Sequence, residues 1–226
     1  MTILAVTGLT KEAQIIGGAG VVAVAGGGDA VLLKQKLDAL HGDIQGVISI
    51  GLGGALAPHL KVGDVVVGER VLFEGKLGDR GESHSCDDIW RVRLAARLAN
   101  THSGPIIGSD LILADAEAKS ALHARSGALA VDMESHVAAR FAKARELPFA
   151  VLRVISDDAR HVLPPAALVA MKPDGGIAIG RVLASLLRHP LQVPSLIRTA
   201  RASNKAFAEL LRCRDLCGVG LAGLDG

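Results

Sequence analysis

Four residues have the chemistry to act on a small polar substrate: Glu12, Glu134, Arg153 and Asp157. Glu134 lies in Val131-Asp132-Met133-Glu134-Ser135, where a stretch of alanine and valine turns acidic within two positions. One explanation is helix capping after a buried strand. The other is a ligand site that one of the two carboxylates faces. Arg153 interrupts Phe149–Ser156, a run that otherwise reads as a central strand. A guanidinium buried there has to be paired and hydrogen-bonded, and Glu134 and Glu12 are the partners expected from neighbouring strand ends. A structural ion pair, or an edge arginine reaching water, explains the residue equally well. Asp157 and Asp158 are adjacent, so their side chains diverge; one can face a cleft while the other caps the following helix. Positioned carboxyls of this kind transfer protons or stabilise a developing cation.

The elements that must position these residues follow from the apolar pattern. Residues 2–6, 20–25, 46–50, 64–67, 128–131 and 149–155 are short, apolar and mostly β-branched without clean alternation, the pattern of strands buried on both faces. Between several of them, residues 29–40, 89–100, 116–125 and 135–145 carry apolar residues at helical spacing, and further helices are expected over 178–188 and 195–212. This order predicts a single α/β domain over residues 1–226, three-layered α/β/α with a mixed, mainly parallel central sheet. The final residues, 213–226, read as a loose tail. In open sheets of this class ligands bind beyond the carboxyl ends of the strands. There the chain places Thr7–Glu12, Gly26–Asp29, Gly51–Gly54, Asp132–Glu134 and Ser156–Asp158, all on one edge if the strands are parallel. The glycine groups suit close backbone approach to an oxygen-rich ligand, or are tight strand-to-helix turns. Neither matches a dinucleotide fingerprint or a P-loop.

Composition excludes several classes. A formal charge of +2, with four Phe, one Trp and no Tyr, argues against a nucleic-acid partner. The first residues lack a cationic region ahead of their apolar run, so no secretory signal is expected, and no apolar run reaches the roughly 20 residues needed to span a bilayer. A soluble, cytoplasmic protein is expected. Cys86, Cys213 and Cys217 have no zinc-site spacing and read as reduced thiols. The histidines are scattered, mostly on surface or loops, so no metal is expected.

Gly51–Val67 (GLGGALAPHLKVGDVVV) and Ala130–Ala159 (AVDMESHVAARFAKARELPFAVLRVISDDA) resemble the nucleoside phosphorylase and nucleosidase superfamily, particularly its methylthioadenosine/S-adenosylhomocysteine nucleosidase branch. TGLTKEAQII, the GGGDA loop and the segment from Leu163 onward are similar to the hopanoid-associated phosphorylases, a resemblance that covers nearly the whole chain. It implies an enzyme without a cofactor that removes adenine from adenosylhopane, using water or inorganic phosphate. General methylthioadenosine/S-adenosylhomocysteine nucleosidase, purine nucleoside phosphorylase and a non-catalytic nucleoside-binding protein are the alternatives.

The resemblance also implies roles. Met133 packs on the ribose and Glu134 bonds its 2′- and 3′-hydroxyls. Asp157, oriented by Ser156, is the general acid at purine N7, and has to hold its proton at neutral pH. Glu12 is the base beside the nucleophile, and Arg153 holds the nucleophile and the carboxylates. Gly53 and Gly54 lie beside the ribose, and Ile112 and Leu113 against the base. Ile112 stands where relatives often have a stacking aromatic, a role Phe73 could fill; Leu52 replaces a serine, and no arginine precedes Gly51. A lipid-linked substrate implies a wide apolar mouth, built from Leu163–Met171 and the basic C-terminal helix. That helix either touches an anionic membrane at the inner face, forms a dimer interface or is simply solvated. A homo-oligomer is expected.

Overall fold

The computed structural model describes residues 2–74, 82–170, 172 and 174–223, so Met171 of the expected mouth and residues 224–226 of the expected tail lie outside the described residues. The chain begins with β1 (Thr2–Thr7), α1 (Thr10–Ile16), β2 (Val21–Ala25), α2 (Ala30–Asp38) and the long β3 (Ile44–Ala55). Then come β4 (Val65–Glu74), β5 (Ser83–Ser85), α3 (Asp88–Arg97), β6 (Thr101–Ser109), α4 (Ala116–Ser126), β7 (Ala130–Asp132), α5 (Ser135–Ala144) and β8 (Phe149–Asp157). A short α6 (Pro165–Leu168), α7 (Ile179–Arg188) and α8 (Val193–Cys217) complete it.

The strands form one mixed, mainly parallel sheet in the order β2-β1-β3-β7-β6-β4-β5, with β8 pairing both β3 and β4. β1 shows why the strands lack polar alternation: Leu4 and Val6 enter a core with Leu33, Leu37, Val137 and Phe141 of α2 and α5, while Ile3 and Ala5 enter a second core with Trp90 and Leu94 of α3 and Ala206 and Leu210 of α8. Both faces are covered, giving the expected three layers. The Leu, Ile, Val and Phe side chains among them each contribute about 1.5–3 kcal/mol by leaving water.

Three expectations need correction. First, the sheet is not open: β3, β8, β4, β6 and β7 pair in a closed ring. Second, β7 runs antiparallel to β3, with Val131 opposite Gly54. Its carboxyl end therefore does not lie on the shared edge of parallel strands; β7 enters from the far end of the ring, and Asp132–Glu134 reach the others because β3 continues through Gly51–Ala55 as strand rather than turning there. Third, residues 213–223 are no loose tail. Cys213, Cys217, Leu221 and Ala222 are buried, and the Trp90 indole N–H donates to Leu221 O at 2.9 Å. Apolar residues at 213, 217 and 221 are spaced to cover the α3 side of the core.

Candidate functional site

Glu12 sits in the first turn of α1, fully inside the protein. One carboxylate oxygen accepts from the Gly8 and Leu9 amides at 2.7 Å each, and the other from the Leu52 amide at 2.8 Å. It thus ties the amino end of a helix to the middle of β3. Burial pushes its pKa above the usual carboxylate range, although the three amides and the Arg153 charge oppose the shift.

Arg153 is buried in β8, opposite Gly51 of β3. Its partner is neither Glu12 nor Glu134, as expected from the sequence, but Asp132: Nε donates to Asp132 Oδ2 at 2.9 Å. Nη2 donates to Ser49 Oγ at 2.6 Å and Nη1 to Leu152 O at 2.9 Å. The other Asp132 oxygen accepts from the Glu134 and Ser135 amides at 2.8 and 2.7 Å. Asp132 is therefore a structural hub, holding the guanidinium and capping the entry to α5. Glu134 is left free of any side-chain cation contact in the described residues, and its carboxylate accepts only from the Met133 amide, at 3.3 Å. Burial, and next the Asp132 charge, push its pKa up to about 8.

Asp157 closes β8. Ser156 is an extra residue in the β3–β8 register between Gly53 and Gly54, a bulge that re-aims the side chain of Asp157. The Ser156 hydroxyl donates to Asp157 Oδ1 at 2.9 Å, the contact an orienting role needs. Asp157 Oδ2 is ion-paired with Lys119 Nζ. Lys119 is fully buried and also donates to Asp158 O at 3.1 Å and His161 O at 3.2 Å. Asp158 points out and accepts from the Arg160 amide, turning the chain rather than capping a helix.

The glycines of β3 make room for these groups. A Cβ at Gly51 would lie 2.9 Å from the Glu12 carboxyl, and one at Gly54 would lie 3.1 Å from Asp157 Oδ2. Gly53 abuts the Arg153 stem, and at Gly8 an added Cβ would meet Glu134 at 3.1 Å and Glu12 at 3.3 Å. Glu12 and Glu134 thus share one end of the stretch and Asp157 marks the other, three residues or roughly 10 Å along the strand.

Met133 is half-buried beside Glu134. Ile112 is exposed and Leu113 packs against a small core around Leu56 and Ile107. Their loop reaches the Asp157 end, where the Leu163 amide donates to Ala114 O at 2.9 Å. Phe73 does not offer a stacking face: it is buried, with the Arg140 guanidinium 4.7 Å from its ring centre and His136 edge-on. His136 is likewise buried, not on the surface, its Nε2 3.0 Å from Asp110. Sequence reasoning missed Lys119. The signal was its spacing from Leu122, which puts a lysine in the buried stripe of α4 where an apolar residue belongs. Among the described residues no group of His, Cys, Asp or Glu could hold a metal ion.

Similar architectures exist among solved structures. The 5′-methylthioadenosine/S-adenosylhomocysteine nucleosidase of S. pneumoniae aligns with a TM-score of 0.60 at 19% identity, over 94% of this chain and 99% of that one. The corresponding enzyme of Helicobacter pylori aligns at 0.63 and 17% identity, over 95% and 98%. Futalosine hydrolase of Helicobacter pylori aligns at 0.59 and 18%, over 94% and 97%. All share the fold of this chain, a nucleoside phosphorylase-like α/β architecture. The family model for the phosphorylase superfamily matches residues 18–188, and with three-quarters of its length inside that match the chain belongs to this superfamily of enzymes.

Proposed function

We propose that the protein cleaves the N-glycosidic bond of a 5′-modified adenosine, with adenosylhopane as substrate and adenine as product. The observation that carries this reading is the layout along β3: two buried carboxyls, Glu12 and Glu134, at one end and the Ser156–Asp157–Lys119 cluster at the other. A nucleoside has matching ends, a ribose with its nucleophile and a purine that must leave. The superfamily membership supports the reaction class, and a structural neighbour from Helicobacter pylori holds 5′-methylthioadenosine in its active site.

In this reading Glu134 accepts hydrogen bonds from the ribose 2′- and 3′-hydroxyls, with Met133 packed on the sugar and Gly53 and Gly54 beside it. The C1′–N9 bond breaks with its electron pair moving into the purine; the proton that goes to N7 comes from the Lys119 ammonium and passes through Asp157, which Ser156 and Lys119 hold in place. Ile112 and Leu113 flank the base. Charge building on the ribose is stabilised by the carboxylates. Glu12 takes a proton from the nucleophile as its oxygen bonds to C1′, while Arg153 acts through Asp132 to hold the cluster together. Water suits this site better than phosphate. Asp132 neutralises Arg153 and Asp157 neutralises Lys119, so the described residues around the carboxyls leave no uncompensated cation for a phosphate dianion. The same reading includes a homo-oligomer and a substrate presented from a lipid phase.

Incubation with adenosylhopane, with and without phosphate, tests it. The expected result is adenine release at the same rate in both, with a ribosyl rather than phosphoribosyl product. Turnover of methylthioadenosine or S-adenosylhomocysteine at equal or higher kcat/KM would remove the lipid-substrate specificity and leave a general nucleosidase.

A further inference from the structure

α7 carries its apolar side in water. None of its residues is buried, yet Ile179, Leu183 and Leu187 recur at every fourth position and Leu191 continues the row in the turn after the helix. Their exposures are 68, 55, 85 and 94%. Ile177 before the helix and Ile197 after it are exposed as well. A continuous row of this kind is a contact surface, not the scattered single exposure usual for monomers.

The charge of the same segment says what kind of surface it meets. Asp174 is the only carboxylate between Arg160 and Lys205, whereas Lys172, Arg188, Arg198 and Arg201 are exposed along it. The whole chain has a formal charge of only +2, so the positive excess is concentrated here and the remainder is net acidic. Apolar side chains flanked by Lys and Arg complement anionic lipid headgroups above an acyl interior. A second copy seated on the row through a two-fold axis would instead bring like charge against like.

The segment is also tied to the candidate site. The Thr10 amide donates to Gly175 O at 3.0 Å and the Thr10 hydroxyl to Asp174 O at 2.9 Å, two residues from Glu12 and four before α7 begins. A surface held by α7 therefore lies next to the rim of the site. We propose that α7 and the turn after it form a docking ridge that seats the protein on an anionic lipid bilayer, with Ile179, Leu183, Leu187 and Leu191 inserted among the headgroups. Among the described residues neither 163–170 nor α8 alone supplies such a row; α8 adds positive charge.

Sedimentation with sucrose-loaded vesicles tests the ridge without any turnover, so its outcome is separate from that of the substrate reading. Wild-type protein is expected to sediment with vesicles of phosphatidylglycerol and phosphatidylcholine, and at least about tenfold less with phosphatidylcholine alone or at high salt. Leu183→Glu with Leu187→Glu should reduce binding by about tenfold or more at unchanged melting temperature, because both side chains are already solvated. Arg188→Glu with Arg198→Glu should weaken binding to the anionic vesicles alone. Wild-type protein that stays in the supernatant with anionic vesicles overturns the proposal. So does a leucine double variant that sediments like wild type, or one that only converts an oligomer into smaller species, which would make the row a subunit contact.

Discussion

Glu134 contributes, with Glu12, the pH dependence of this site. Its carboxyl has an ordinary value near 4.5 and is pushed up to about 8 by burial and by Asp132. Folding therefore favours the protonated form. That contribution to stability is fully present below about pH 4.5 and is lost as pH rises through about 8. Melting temperatures should fall across this window in the wild type and much less in Glu134→Gln. In the proposed reaction, bonding to the sugar hydroxyls and stabilising a cation use the ionised carboxylate, so kcat/KM should rise with pH toward 8, and Glu134→Gln should keep only the part of that limb that belongs to Glu12, the other carboxyl raised by burial. At the other end, Lys119→Met leaves Asp157 without its cation in a nearly closed site. A loss of about 3–5 kcal/mol is expected from thermal or denaturant unfolding, the usual cost of removing one member of a buried pair. Of the residues involved, Arg153 and Glu134 were legible as polar groups breaking apolar runs, and Glu12 and Asp157 only as polar residues following a strand end. Their pairing was not. Asp132 claims Arg153, and Lys119 comes from a helix 38 positions before Asp157; both contacts depend on strand direction and register, which a one-dimensional pattern does not contain.

The glycines of β3 act at the level of the element. Gly51 reads as part of a loop because Gly51-Leu52-Gly53-Gly54 lacks β-forming side chains, yet the backbone stays extended so that side chains from α1 and β8 can lie against it. Gly51→Ala should push the Glu12 carboxyl off its three amides, costing about 1–3 kcal/mol of stability. Glycosidic cleavage should drop by about tenfold or more, as expected for a displaced base. An alanine variant with unaltered kcat would show that Glu12 does not act where it stands. β6 escaped the strand pattern for a related reason. Gly104, Pro105 and Gly108 interrupt Thr101–Ser109, and both glycines lie where a Cβ would strike neighbours, Leu129 at 2.8 Å from Gly104 and His136 at 2.6 Å from Gly108. Closing a ring of strands needs such close approaches, so the residues that permit closure also disguise the strand. The helices were clearer, with α2, α3, α4, α5 and α7 falling within a few residues of their apolar periodicity. α1 was overlooked, since its Thr10-Lys11-Glu12 start is polar and short.

At the scale of the molecule, two cores flank the sheet and the chain end completes one of them. Removing residues 218–226 should strip Leu221 and Ala222 from the α3 side and leave the Trp90 N–H without its acceptor. A loss of about 2–4 kcal/mol is expected in denaturant unfolding, whereas a loose tail would cost nothing. The described residues contain no helix long and apolar enough to cross a membrane; the lipid contact proposed for α7 is a surface one. Layering and class were readable because buried strands and amphipathic helices repeat along the chain. The closed ring was not, because it depends on β8 pairing two strands at once. In the proposed reaction Asp157 protonates a leaving purine while Glu12 and Glu134 work on the sugar. Adenine release from adenosylhopane by wild type and by Asp157→Asn, compared at matched folded protein, tests it most directly. Turnover by the wild type is expected, with a fall of about 10²–10⁴-fold in kcat for the variant and binding of the nucleoside retained. No adenine from the wild type, or equal rates from both proteins, would contradict it.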